Sequence, residues 1–294
     1  DGTELACDWI DFDSVAETGW LRVKWSGTLA SSGTQVLRVY PPNTANSPVG
    51  SGSALGSDNA YDADWITYWT LMGSDITDRT ANGFDLIADV ALTIGGVTGK
   101  FGDATNFAAL GGMSTGSVSF DHSDEFTIMC WAEGELGSWR GLYGRNMTSG
   151  DIMFQQRGTS DDLKIMGLGS PELRAGLYGP GTIRHHAGVI DPTGNRRYDN
   201  AVLVGTGVAT TTSATTGETA EMLVGESVTP SARYWDGTIE QMSTHDVARS
   251  AAWIDHEYAQ TDSQSAFWGT WANTAGASAT TTSRSRDRSR TRAR

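Results

Sequence analysis

The chain has 294 residues, with 21 Lys+Arg against 35 Asp+Glu, a net charge of -14, 36 Gly and 7 Pro. No apolar run approaches the ~20 residues that a membrane helix needs, and the excess of acid argues against a nucleic-acid partner. Gly, Ser, Thr and aromatic residues between short apolar runs read as all-β.

The first 58 residues hold three strand-like runs, ELACDWIDFD, GWLRVKW and TQVLRVY. In the second, Trp20, Arg22 and Lys24 alternate with Leu21 and Val23, the period of a half-buried strand. SPVGSGSALGSDN comes next as a Gly/Ser linker. Three strands make a poor core, so the segment either leans on the neighbouring domain or is the remnant of a larger one. The start at DGTELACDW, mid-strand by its pattern, reads as a processed or partial product.

From residue 59 to 270 short strands recur at a spacing that favours a sandwich or a barrel. FTIMCWAE places Phe126, Ile128 and Cys130 on one face and Thr127, Met129 and Trp131 on the other. DIMFQQR, LKIMGL, RHHAGVID, NAVLVGTG and EMLVGES continue the series. His185 and His186 are adjacent on a strand and point to opposite faces, so they read as structural and cannot share a metal. Cys7 and Cys130 lie in different segments and read as packed thiols. One helix is expected, with Ser250 as its N-cap and with Ile254 and Tyr258 on one side.

Residues 271–294 have no apolar period and are expected to be disordered. The last eleven carry six Arg and one Asp, or +5, leaving -19 on the remainder. This Arg/Ser-rich tail reads as solvated, or as a weak contact for an acidic neighbour.

Several pieces, taken in order, resemble the concanavalin A-like, laminin G-like domains of bacterial and phage surface proteins. They are DADWITYWTLMG, DRTANGFD, GKFGDATNF, FTIMCWAEG, RHHAGVIDPTGNRRYDNAVLVGTG and YWDGTIEQMSTHDVARSAAWIDHEY. The last is the most specific, a Tyr-x-Asp-Gly strand followed by an Ala-Arg-Ser turn into a short helix. The first 58 residues look like the C-terminal part of a poorly characterised β-domain that often precedes such sandwiches. One departure is the hairpin Tyr198-Asp199-Asn200-Ala201, where relatives carry Gly in the last place. Asn tolerates a left-handed backbone and Ala does so poorly.

The resemblance implies an antiparallel jelly-roll sandwich over residues 59–270, preceded by a partial β-domain (1–58) and followed by the Thr/Ser linker and tail (271–294). The loop DITDRTANGFD gathers Asp75, Asp78, Asn82 and Asp85, and in relatives the equivalent of Asp78 to Asp85 can help to bind structural calcium, sometimes with the late Asp-Gly strand. That points to Asp75, Asp78, Asn82, Asp85 and Asp236 as oxygen ligands. The alternative is that these residues hold a tight loop through Asx turns. Exposed aromatics are the usual platform for sugars, which makes Trp139, Tyr143, Tyr178 and Trp235 the candidates, unless they close the core at strand ends.

Related glycoside hydrolases carry Glu-x-Asp-x-x-Glu on one strand, because glycoside cleavage needs a carboxyl pair. That spacing is missing here; Glu133 and Glu135 are two apart beside Gly. The expected function is therefore non-catalytic binding of a glycan or cell-surface polysaccharide by a lectin-like module outside the cell or on a virion. The alternatives are a structural subunit of a phage particle or cell envelope, which requires a homo-oligomer or surface assembly, and a polysaccharide-degrading enzyme on the same scaffold.

Overall fold

The computed structural model describes residues 5–13, 18–24, 51–89, 92, 94–107, 111–119, 124–134, 139–145, 152–156, 163–166, 173–175, 181–207, 217, 219–226 and 233–262. The expected strand TQVLRVY, Tyr178 and the Arg/Ser-rich tail lie outside them. In chain order the strands are β1 (Cys7–Asp13), β2 (Thr18–Val23), β3 (Trp65–Trp69), β4 (Ile87–Ala88), β5 (Gly96–Thr98), β6 (Asp103–Asn106), β7 (Met113–Ser119), β8 (Phe126–Gly134) and β9 (Arg140–Arg145). They continue with β10 (Ile152–Gln156), β11 (Leu163–Met166), β12 (Leu173–Ala175), β13 (Arg184–Ile190), β14 (Arg196–Asp199), β15 (Val202–Thr206), β16 (Thr219–Val224) and β17 (Gly237–His245). Helix α1 (Ala251–Asp262) comes last.

Two antiparallel sheets face each other. One runs β12-β11-β10-β9-β16-β7-β4, and the other runs β15-β14-β13-β8-β17-β6-β5 with β3 also paired to β17. This is the antiparallel jelly-roll sandwich that the family resemblance implied. Phe126, Ile128, Cys130 and Ala132 of β8 meet Ile152, Phe154, Met222 and Val224 of the opposite sheet in one apolar core. Burial pushes the Cys130 thiol up to about 12, so it stays protonated there.

The other face of β8 is buried too, which alternation alone did not foretell. Helix α1 lies across it, with Ile254 packed among Met129, Ala187 and Val189. Tyr258 stacks on Trp131 at 5.8 Å. Ser250 caps the helix, its hydroxyl accepting from the Trp253 amide.

The β1–β2 hairpin leans on the sandwich, the first of the two alternatives for this segment. Arg22 makes a two-pronged ion pair with Glu257 of α1 and lies 4.7 Å over the Trp65 ring. Asp8 accepts two hydrogen bonds from the Arg79 guanidinium and one from the Tyr61 hydroxyl. The Gly/Ser stretch read as a linker is folded from residue 51 onward, with a short 3-10 turn at Ser57–Ala60 and the Leu55 carbonyl accepting from the Cys7 amide. Its small residues let the chain run close to the hairpin.

The β14–β15 hairpin turns on Asn200 and Ala201, both left-handed at φ 46° and 61°. This is a two-residue turn whose strand twist requires that conformation. The Asn200 side chain also accepts from the His185 amide, whereas Ala201 is strained. We expect Ala201→Gly to stabilise the protein by about 1 kcal/mol. A higher midpoint in thermal unfolding, by a few degrees, is the check.

Candidate functional site

Three segments meet at one rim of the sandwich. The chain leading into β9 brings Trp139 and Arg140, the end of β16 brings Gly225 and Glu226, and residues 233–236 run into β17. Backbone bonds stitch them together. Gly141 donates to the Arg233 carbonyl, Gly225 to that of Leu142, and Trp235 to that of Gly225. Gly225 sits at φ 69°, and a Cβ there would overlap the Phe107 ring. Gly237, at φ 145°, leaves no space between itself and the Glu133 carbonyl. The Gly of YWDG is thus a backbone requirement of this rim.

Two of the four candidate aromatics do not face solvent. Trp235 is fully buried, and its indole donates to the Glu133 carbonyl. Tyr143 is also fully buried and stacks with Phe126 at 6.0 Å. Both belong to the core, Tyr143 from within β9 and Trp235 from just before β17, which corrects their reading as exposed platforms. Residue type could not separate the outcomes, because an aromatic in or beside a strand serves either purpose. Trp139 remains at the surface, half-buried. The Arg233 guanidinium carbon lies 4.5 Å from its ring centroid, and Arg233 Nη1 donates to Gln155 Oε1 at 3.4 Å.

The rest of the rim is charged. Asp236 forms an ion pair with Arg140. Glu226 and Asp89 flank Gly111 and Gly112, where a Cβ would crowd one or the other carboxyl side chain. The Glu226 carboxyl is raised by burial first, then by the charges of Asp89 and Glu221. The Tyr234 phenol is raised chiefly by Glu226. Arg233, Gln155 and the Glu226–Asp89 pair were missed in the sequence, since no local spacing links positions from four separate segments.

The proposed calcium ligands are placed differently. Asp78 Oδ1 accepts from the Tyr68 and Thr80 amides, and its Oδ2 accepts from the Thr80 hydroxyl and the Phe84 amide. Asp85 Oδ1 accepts from the Asp78 amide. Asp75 takes the amide and hydroxyl of Thr77 and the hydroxyl of Thr70. Asn82 donates its side-chain amide to the carbonyls of Trp65 and Ile66. Calcium needs six to eight oxygen lone pairs, and protein donors already take those of Asp78. Among the described residues, no three His, Cys, Asp or Glu side chains are grouped as metal ligands. The loop as folded does not fit a calcium cage; it has the Asx-turn arrangement instead.

His185 and His186 do face opposite ways. His185 sits against the rings of Trp131 and Tyr258. The Nδ1 of His186 meets Asp199 at 2.8 Å, inside a buried network with Arg197. No helix among the described residues is long and apolar enough to cross a membrane.

The sequence profile of the concanavalin A-like lectin/glucanases superfamily, in its laminin-G form, matches residues 108–255, half of the chain. The protein belongs to this superfamily. The fold is similar to domain 4 of a GH43 extracellular arabinanase from Geobacillus stearothermophilus, solved in complex with arabinotriose. That likeness has a TM-score of 0.54 at 17% identity over 68% of this chain and 100% of that one. It is also similar to the binding domain of Paraclostridial mosquitocidal protein 1, with a TM-score of 0.52 at 11% identity over 67% of this chain and 52% of that one. At such identities the likeness is one of fold. No curated protein matches the sequence. The matched stretch of this concanavalin A-like chain contains most of the rim described above, from Gly111 and Trp139 to Gly237.

Proposed function

We propose that the protein is a non-catalytic, lectin-like module that binds a glycan outside the cell, on a cell or virion surface, through the rim built around Trp139 and Arg233. The observation that carries this reading is the half-exposed Trp139 ring with a guanidinium 4.5 Å from its centroid. Sugars present C–H faces that pack on an aromatic ring and hydroxyls that need charged or amide partners beside it. Asp236, Arg140 and Glu226 supply further hydrogen-bonding groups at the same rim. The complex of the similar arabinanase domain with arabinotriose supports the class of ligand.

Loss of one stacking platform costs a weak binder most of its affinity. Trp139→Ala is therefore expected to reduce binding on an immobilised-glycan panel at least tenfold while the thermal midpoint moves little. Binding unchanged in that variant defeats the assignment of this rim. Release of reducing sugar from a bound glycan would defeat the non-catalytic part.

A second reading, a subunit of a surface assembly, is favoured by the edge strand β15. Val202, Leu203 and Val204 are exposed there at 64%, 49% and 36%. Its sequence VLVGT has none of the charges or prolines that usually guard an edge. A second copy pairing along this edge would cover it. Leu203→Lys should then abolish any dimer seen by light scattering, and a wild-type monomer at high concentration would dismiss the reading.

A further inference from the structure

We infer that the rim selects a glycan ending in a carboxylate-bearing sugar, with Arg233 as the residue that binds the carboxylate; this rests on the glycan-binding reading above. A comparison within the molecule points to it. Among the described residues, cations lying over a Trp ring elsewhere in the protein also hold carboxylates of their own. Arg22 over Trp65 is paired with Glu257. Lys100 over Trp131 is paired with Asp262. Arg249 over Trp253 is paired with Asp62 and Asp64. Arg233 over Trp139 has instead a neutral amide oxygen at 3.4 Å. In a chain with 35 acidic residues, a guanidinium placed on an aromatic ring and left with a neutral acceptor has capacity for an anion. Its planar fork matches a carboxylate with two parallel hydrogen bonds.

Gln155 supplies the second observation. Its side chain is fully buried, its Oε1 receives Arg233, and its Nε2 has no hydrogen-bond partner. A buried amide donor without an acceptor is costly. An anion seated on Arg233 would bring an acceptor to the same end of that amide. The surroundings limit the ligand further. Glu226, Asp89 and Asp236 lie on the same rim, so a long polyanion is repelled. A single carboxylate with hydroxyls around it suits the site, because carboxylates accept from sugar hydroxyls.

The test uses the full chain and pairs of immobilised oligosaccharides that differ only in whether the terminal sugar is glucuronic acid or glucose. The expected result is at least tenfold tighter binding of the acid form, weakened by added salt. Arg233→Gln should reduce acid binding to the level of the neutral form, and Arg233→Lys should retain part of the preference. Trp139→Ala should weaken both. Equal binding of acid and neutral forms, with Arg233→Gln indistinguishable from wild type, overturns this inference and leaves the glycan reading standing. No binding of either form, or of any glycan on a broad panel, overturns both.

Discussion

Asp78→Ala is expected to destabilise the protein by about 4 kcal/mol, one of the largest effects open to a single change. The carboxylate receives four donors at once, from the amides of Tyr68, Thr80 and Phe84 and the hydroxyl of Thr80. Alanine leaves these donors without an acceptor where water has little access, and each buried orphan costs roughly 1–3 kcal/mol before relaxation. The loop also holds β3 in place, since the Arg79 amide donates to Tyr68 and the Trp69 indole to Phe84. Asp78→Asn should cost about half as much, because its Oδ1 still serves Tyr68 and Thr80 while the new amide opposes the Phe84 donor. Urea unfolding of the three proteins is the check. A loss below 1 kcal/mol for alanine would show that the loop is held by something else. The same lone pairs are what calcium would require, so a chelator should leave the wild-type midpoint unchanged.

The strand series was legible because the chain states it in two-residue periods. The residues of FTIMCWAE divide between two buried faces as their alternation requires. The helix was legible from a cap and a four-residue spacing. What covers the second face of β8 was not, because it depends on side chains far apart in sequence, such as Arg22 and Glu257. The Asp-rich loop was visible as a cluster of oxygens, but whether such oxygens meet a cation or backbone amides is decided by φ and ψ. The rim was the least legible part. Arg233 and Gln155 gain meaning only when β10 and the approach to β17 lie side by side, and nothing in either segment marks the other.

Acid is expected to unfold the protein well above the usual carboxylate range, and the cause is buried histidine. His185, packed between Trp131 and Tyr258, is held down to about 3 by burial first and then by the charges of His186 and Arg197. Burial also lowers His186, although its hydrogen bond to Asp199 opposes this. His245 is lowered by burial and then by Arg249 and Arg22. A folded pKa below the unfolded 6.5 means that the unfolded chain takes up protons which the folded one refuses. The stabilisation is complete above pH 6.5 and falls away as the pH drops towards the folded values, by up to about 1.4 kcal/mol per pH unit for each histidine. Asp191 and Asp199, both lowered, add a further loss as the pH falls below 3.8. Glu240 works in the opposite sense. Burial raises its carboxyl to about 7, against the amides of Lys100 and Phe101 that favour the charged form. Its contribution is complete below pH 4.5 and fades as the pH rises through 7. The lowered histidines, His185 and His245 above all, outweigh the raised carboxyls of Glu240, Asp78 and Glu226, so the net loss between pH 7 and pH 5 should be on the order of 2 kcal/mol, or roughly 5 °C in the midpoint. His185→Gln should flatten this acid limb, and Glu240→Gln should steepen it. A midpoint that stays level from pH 7 to pH 5 would mean that the histidines are reached by water in the folded state and that the second face of β8 is not sealed by α1.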